Sequence, residues 1–339
     1  MKRCTMYLRV LIPGTAIAAV VIGALMLSSG AGIAAGVSPA GGEWTQRAPL
    51  PDERTEVSVT ADGSRIFLAG GFVQAGARRA EAPRAVYAYD AGEDDWSHIT
   101  DLPEGVNHAG LVHLDGRLYV VGGYRENTFE PVDTLRIFDL ETRLWSEGAP
   151  LPTPRGAHAT TVLDGRIHAI GGRTHGRMDV GAHEAYEPGT DRWVSLAPLP
   201  TPRNHHAAAA VDGMIVVPAG RDDASFELTV NEIYDAQADA WRSGAPVPTG
   251  RSGVAVAVLD GRVYLFGGET FRPERRTFDE AERYDPRADA WESLPPMPTA
   301  RHGLGAAAVG GAIHVISGGP EAGFAFSDRN ERLVPADAR

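Results

Sequence analysis

The chain of 339 residues has a formal net charge of −12 and contains 40 glycines and 24 prolines. Lys2, Arg3 and Arg9 precede a hydrophobic segment, so the remainder carries −12 − 3 = −15. A surface this acidic repels phosphate backbones, which argues against nucleic acid as a partner. Cys4 is the only cysteine and Lys2 the only lysine, which excludes a disulfide, a thiolate nucleophile and a Schiff-base lysine from the rest of the chain.

Residues 1–35 have the pattern of an export segment. Basic residues precede an uncharged apolar stretch over residues 10–35, and this stretch ends in small residues. One interpretation is a signal peptide cleaved after Ala31, Ala34 or Ala35. The other is an uncleaved signal anchor that attaches the protein to the membrane through residues 10–35. Both interpretations predict an extracytoplasmic protein, secreted or periplasmic, in which a short linker over 36–42 precedes one domain over 43–339.

The domain consists of repeats of about 49 residues, and all six tryptophans recur in one phase. They are Trp44, Trp96, Trp145, Trp193, Trp241 and Trp291. A Tyr or Phe stands seven residues before each tryptophan from Trp96 onward, and a glycine pair precedes it, although the fourth pair has become Ala219-Gly220. The tryptophan, the Tyr or Phe and the glycine pair recur with the same period and at the same spacing, which indicates a repeat architecture.

Each repeat predicts four antiparallel strands. In the third repeat, residues 157–163 and 166–170 flank Asp164-Gly165, a dipeptide typical of a two-residue type I′ hairpin. Two further strands follow over 183–186 and 192–195. A sheet of this size cannot bury both faces alone, so radial packing of six such sheets predicts an all-β, six-bladed propeller.

The Asp-Gly turn, glycine pair, tyrosine and tryptophan together resemble the Kelch repeat, and the resemblance extends from Trp44 to the end of the chain. It implies a Kelch-type propeller like the central domain of exported galactose oxidase-like proteins. Copper radical oxidases of that type need a cysteine cross-linked to tyrosine, so the absence of cysteine implies a propeller without the copper site. The last repeat lacks its tryptophan and fourth strand, which predicts that residues 43–47 close the sixth blade.

Two sets of residues are candidates for ligand binding on the face that collects the loops after the glycine pairs. The first set recurs three residues after a proline, and an arginine side chain can grip carboxylates or sugar hydroxyls. It comprises Arg54, Arg155, Arg203, Arg251 and Arg301, with Asn107 in the blade that breaks the series. The alternative is that these arginines belong to the scaffold and bond loop carbonyls.

The second set breaks the symmetry of the repeat just after the glycine pairs. It comprises Tyr124, Arg125, Arg173, Arg221 and Glu269. We expect no metal and no cofactor, because His205 and His206 are adjacent and would point to opposite faces of a strand.

These features favour a non-catalytic module that binds an extracellular glycan, peptide or protein. The alternative is a small-sugar enzyme, since some exported Kelch-like proteins resemble sialic acid mutarotases. Such an enzyme needs a carboxylate for proton transfer, which Glu269 or Glu126 could supply beside arginines. No catalytic residue is assigned.

Overall fold

The computed structural model describes residues 41–75 and 80–337. The predicted export segment and most of the linker lie outside these ranges. Among the described residues, no helix is long and apolar enough to cross a membrane.

Six four-stranded antiparallel sheets account for most of the described residues, and we number these blades in chain order. Blades 1 to 3 consist of Ser58–Ala61, Arg65–Ala69, Ala85–Asp90 and Asp95–Asp101; of Gly110–Leu114, Arg117–Val121, Leu135–Asp139 and Trp145–Glu147; and of Ala159–Leu163, Arg166–Ile170, His183–Glu187 and Arg192–Ser195. Blades 4 to 6 consist of Ala209–Val211, Met214–Pro218, Asn231–Asp235 and Ala240–Ser243; of Ala255–Leu259, Arg262–Phe266, Ala281–Asp285 and Ala290–Ser293; and of Gly305–Val309, Ala312–Ile316, Asn330–Pro335 and Gly42–Gln46.

The six blades form a closed ring. The first strand of each blade packs against the first strands of its two neighbours, and the first strand of blade 6 returns to that of blade 1. The N-terminal strand Gly42–Gln46 completes blade 6, with Trp44 opposite Leu333 in an antiparallel register. The predicted all-β propeller and its closure by the N-terminal strand are therefore confirmed.

The hairpin turns follow the sequence prediction, with one difference. Asp164 and Gly165 have φ values of 51° and 72°, the two positive angles that a type I′ turn requires. In blade 1 the strands end at Ala61 and restart at Arg65, so the connection has one residue more. There the Asp62 side chain accepts hydrogen bonds from the next backbone N–H groups and closes a wider turn.

Short elements lie outside the blades, in the loops after the second strands and in the segments before the first strands. They are a three-stranded sheet of Arg54–Thr55, Phe72–Gln74 and Ala80–Glu81; the pairs Val106–Asn107 with Tyr124–Arg125 and Glu269–Thr270 with Arg276–Thr277; and one turn of 3-10 helix, His175–Arg177.

Tryptophans join neighbouring blades. Trp241 in blade 4 donates its indole N–H to the carbonyl of Ala197, 2.7 Å away in the segment that leaves blade 3. Asp239 accepts from the Ala197 N–H and from the Tyr234 hydroxyl, both at 2.8 Å. The same Tyr–Asp–Trp arrangement recurs around Ala48, Ala149 and Ala245. The repeated aromatic residues thus fill the space between neighbouring blades, and their hydrogen bonds also fix the distance between the blades.

Candidate functional site

The five repeated arginines lie inside the scaffold, and none has solvent-accessible surface. Arg203 donates to the carbonyls of Ala219 and Val217, at 2.9 and 2.7 Å, and pairs with the buried carboxylate of Glu232. Three others have equivalent third-strand partners: Glu184 for Arg155, Glu282 for Arg251 and Glu331 for Arg301. Arg54 pairs instead with Asp52, a partly exposed residue two positions before it. This placement favours the scaffold alternative, and ligand binding by these arginines stays a prediction.

Six equivalent residues, one in the segment that leads into each blade, surround the axis of the ring. Each stands two residues after the repeated arginine, or after Val106 in blade 2, and each has φ between 50° and 68°. We call them the axial positions: Glu56, His108, Ala157, His205, Gly253 and Gly303. Backbone hydrogen bonds link the members from His108 to Gly303, as from Ala157 N to His108 O at 2.9 Å and from His205 N to Ala157 O at 3.0 Å. Beside Glu56, Val57 N donates to Gly303 O at 3.3 Å.

Glycine suits this left-handed conformation, whereas other residues rarely adopt it. Gly303 is also needed for space, because a Cβ there would lie 2.8 Å from the Glu56 Cδ atom. Holding Glu56, His108 and His205 at positive φ costs on the order of 1–3 kcal/mol each. Strain of this kind is typical of functional sites.

A pocket of about 240 Å³ opens above the axial positions, on the face with the long loops. We call it the central pocket. Its polar lining includes Glu56, His108, His205, Arg173, Arg221 and Glu269. Its apolar lining consists of Phe72, Tyr124, Phe129, Phe271 and Phe324. The pocket can therefore hold a small group with one polar side and one apolar side.

Two carboxylates, Glu56 and Glu269, form the floor of the central pocket, and the buried His302 lies beneath them. Nδ1 of His302 lies 3.4 Å from a carboxylate oxygen of Glu56 and 3.4 Å from one of Glu269. Burial lowers the pKa of His302, but the two carboxylates outweigh burial and raise it overall. Burial in turn raises the pKa of Glu56, while the surrounding histidines, His108 first, outweigh burial and lower it. Each group thus stabilises the charged form of the other.

Arg221 connects this floor to the pocket wall. Its guanidinium lies 2.9 Å from a Glu269 oxygen and 2.8 Å from Nε2 of His205. The rings of Phe226 and Phe271 lie within 5.7 Å of the guanidinium carbon and hold it in place. Burial, and then the Arg221 charge, lowers the pKa of His205 well below its usual value. His205 is consequently neutral at physiological pH.

Asparagines orient the two axial histidines. The Asn107 side chain donates its amide N–H to the carbonyl of Glu126 at 2.6 Å, so its oxygen faces Nδ1 of His108, also at 2.6 Å. In the same way, Asn204 donates to Asp179 at 2.6 Å and turns its oxygen to Nδ1 of His205. Each ring thus carries its proton on Nδ1 and presents Nε2 to the pocket.

Four of the five symmetry-breaking candidates meet at the central pocket. Tyr124, Arg173, Arg221 and Glu269 line it. Arg173 is held by Asp179 at 2.7 Å, and this pairing raises the pKa of its guanidinium. The fifth, Arg125, lies apart on the surface, 3.5 Å from Glu104.

Asn107, predicted as a ligand-binding residue, is fully buried behind His108, so here it acts on the pocket only through that histidine. His205 and His206 lie in an irregular segment and not in a strand. The predicted strand alternation is therefore wrong at this point. His205 faces Glu56 and His108 instead.

Sequence analysis missed Glu56, His302, Phe129 and Phe324. A signal for the first was available, because the axial positions read Glu, His, Ala, His, Gly and Gly in chain order. The small residues mark a left-handed turn, against which one glutamate and two histidines stand out. Phe129 and Phe324 lie in loops of different length, where no repeat period applies.

Comparison with known proteins identifies the family. Residues 42–220 and 150–319 match the family model of the KLHDC2/KLHL20/DRC7 Kelch-repeats domain. The chain belongs to the Kelch-repeat family. The galactose oxidase-like subtype stays a prediction.

Several curated Kelch proteins are similar to this chain. Kelch-like protein 35 of Mus musculus is 29% identical over 152 residues, which make up 45% of this chain and 25% of that protein. Kelch-like protein terF of Aspergillus terreus is 27% identical over 146 residues, or 41% of this chain and 32% of that protein. Beta-scruin of Limulus polyphemus is 30% identical over 135 residues, or 38% of this chain and 14% of that protein. The matches thus span a third or less of each relative's length.

Among solved structures, YjhT superposes with a TM-score of 0.70 at 15% sequence identity. The match covers 83% of this chain and 95% of YjhT. At this identity the likeness shows the fold alone.

Proposed function

We propose that the protein is an extracytoplasmic recognition module that binds a peptide segment of a partner protein at the central pocket. The observation that carries this proposal is the rim of exposed aromatic residues around a polar floor. Kelch-repeat proteins bind proteins, which supports a protein partner.

The rim is unusual because large apolar side chains are exposed there. Phe129 and Phe324 are 49% and 66% exposed, and both line the pocket. Phe72 lies between them, with ring centroids 6.4 Å from Phe129 and 5.8 Å from Phe324. Exposed aromatics next to a pocket are typical of the residues that dominate the binding energy of interfaces.

The floor would select one side chain of the peptide. Glu56, Glu269 and Arg221 offer acceptors and donors within a volume of about 240 Å³, which fits one amino-acid side chain but no folded element. We therefore expect the bound segment to insert a single polar side chain, while its neighbours pack on Phe129 and Phe324.

A binding screen tests this proposal. Purified full-length protein is applied to a random peptide array and to a glycan array, and the hits are measured again with Phe324→Ala. We expect a peptide hit whose affinity falls at least tenfold in the variant, because truncating an interface aromatic costs about 2 kcal/mol.

Leu144→Ala is the matched control. Leu144 is 68% exposed, about as much as Phe324, but lies in the turn between the last two strands of blade 2. Its truncation should leave the affinity unchanged. Peptide binding that is equal in Phe324→Ala and in wild type would contradict the proposal, as would binding of glycans alone.

A second candidate function is acid–base catalysis on a small sugar, such as the mutarotation of sialic acid. The observation that favours it is the Glu269–Arg221 pair beside Glu56, which sets a carboxylate for proton transfer next to a carboxylate-binding guanidinium. NMR of anomeric exchange in sialic acid tests it, and a rate equal to that in buffer would eliminate it.

The proposed location rests on the sequence of residues 1–35. Fusion of a phosphatase that is active only outside the cytoplasm tests export, and N-terminal sequencing of the mature protein separates a cleaved signal from an anchor. An inactive fusion would contradict an extracytoplasmic location.

A further inference from the structure

We propose that Glu56, His108 and His205 form a binding site for a divalent transition-metal cation such as Zn²⁺ at the floor of the central pocket. Two imidazoles and one carboxylate make up a common ligand set for such cations, with a position left open for water or substrate. This inference does not rest on peptide recognition, and it revises our expectation from sequence that the chain holds no metal.

The three side chains converge without any rearrangement of the backbone. One ligand atom from each of Glu56, His108 and His205 lies within 4.8 Å of the other two. All three occupy axial positions, where backbone hydrogen bonds hold His108, His205 and Val57, the residue next to Glu56. All three also line the central pocket, through which an ion can enter.

The orientation of the histidines is the one that metal binding requires. Asn107 and Asn204 accept the Nδ1–H protons, which leaves an Nε2 lone pair on each ring. Nε2 of His108 lies 3.3 Å from a Glu56 oxygen. An imidazole nitrogen and a carboxylate oxygen at this separation can both coordinate one cation. The asparagines correspond to the outer partners that orient histidine ligands in known metal sites.

The buried side chain of His302 lies beneath the proposed site and supports it independently. Its side chain is 1% exposed, and neither ring nitrogen has a hydrogen-bond partner of good geometry. Nδ1 lies 3.4 Å from both Glu56 and Glu269, and these three residues form a second cluster with metal-ligand spacing that shares Glu56. A buried imidazole without a hydrogen-bond partner is costly, and this second cluster makes Glu56 the carboxylate that both groups share.

Arg221 competes with the cation. Its guanidinium now donates to Nε2 of His205 at 2.8 Å and must release that nitrogen when a metal binds. Glu269 stays paired with Arg221 at 2.9 Å and can hold it aside. Removal of this guanidinium should therefore strengthen metal binding, an effect that a purely structural role of the histidines does not predict.

Titration of Zn²⁺ into the full-length protein tests the site. The protein is freed of affinity tags, treated with chelator and desalted, and binding is followed by calorimetry. We expect one Zn²⁺ per chain, an association constant at least tenfold lower in His205→Gly, and a higher constant in Arg221→Met.

Ala157→Gly is the matched control, because it also removes a left-handed side chain at an axial position but takes away no ligand. It should bind Zn²⁺ as the wild type does. Thermal unfolding of each variant verifies that it is folded. Co²⁺ provides a measurement that needs no variant, since coordination by imidazoles produces visible absorption bands.

Absence of stoichiometric Zn²⁺ binding, equal binding by wild type and His205→Gly, or bound Co²⁺ without visible bands would each overturn the proposal. The two proposals can fail separately. A protein that binds Zn²⁺ as predicted but binds no peptide contradicts only the proposed function. A protein that binds a peptide but no Zn²⁺ contradicts only this inference.

Discussion

Arg203 forms a buried ion pair with Glu232 on the loop side of blade 4 and has no exposed surface. Its period identifies it as part of every blade but one, and an arginine on the loop face suggests a ligand contact. Burial favours the scaffold interpretation, and this burial is matched by a glutamate of the third strand, Glu232, which the sequence did not connect with Arg203. Long-range pairing of this kind has no local sequence signal.

Replacement of Arg203 by alanine should lower the free energy of unfolding by about 3–5 kcal/mol, because it leaves the Glu232 carboxylate buried without its partner. The carbonyls of Val217 and Ala219 also lose a donor. Urea unfolding measures the change. Arg192→Ala, at an exposed position of blade 3, is the control and should have little effect. Equal stability of the two variants would contradict a scaffold role for Arg203.

Two buried histidines of blade 3 should make stability depend on pH. Nδ1 of His168 lies 2.9 Å from Nε2 of His183, and burial lowers their pKa values to about 4 and about 3. The unfolded chain binds protons below about pH 6.5, whereas these folded rings stay neutral. Their contribution is therefore complete above about pH 6.5 and is lost as the pH falls towards 4.

Melting temperature as a function of pH measures this effect. The wild type should lose stability between about pH 6.5 and 4, and His168→Gln/His183→Gln should have a shallower slope over the same range. An identical slope in both proteins would show that these histidines are not responsible.

The blade is the element that sequence predicts best. Asp-Gly turns, glycine pairs and aromatic phase place nearly every strand within a few residues, since each signal is local and repeated. From the sequence, we expected the tryptophans only to fill the space between blades. The sequence did not predict that Trp241 donates a hydrogen bond to the Ala197 carbonyl, or that Asp239 accepts one from the Ala197 N–H. These contacts join segments more than forty residues apart.

Trp241→Ala should lower the free energy of unfolding by about 3 kcal/mol, because it empties the wedge between blades 3 and 4. Trp241→Phe keeps most of the ring and loses the bond to the Ala197 carbonyl, which should cost about 1 kcal/mol. Chemical denaturation of both variants checks the order. A larger loss in the phenylalanine variant would contradict this division.

At the scale of the molecule, closure of the ring joins its two ends. Gly42–Gln46 is the fourth strand of blade 6, so deletion of residues 42–50 should expose the edge of Asn330–Pro335 and destabilise every blade. Calorimetry should show one transition at a lower temperature. An unchanged melting temperature would mean that blade 6 does not need this strand.

The central pocket was predicted from sequence only in part. Tyr124, Arg173, Arg221 and Glu269 stood out because they break the repeat just after the glycine pairs. Glu56 stands out only when the axial positions of all six blades are compared, and the loop residues Phe129 and Phe324 follow no repeat period. Their meeting point depends on how six blades close around one axis, which no single repeat encodes.

We infer that the strained axial side chains are kept for binding, although they lower the stability of the fold. The free energy of unfolding of His205→Gly tests this most directly, because glycine removes the strain at φ = 52° together with the imidazole. We predict a stability equal to or up to about 1–2 kcal/mol above that of the wild type. A loss of about 2 kcal/mol or more would mean that His205 serves the scaffold, and would contradict the account.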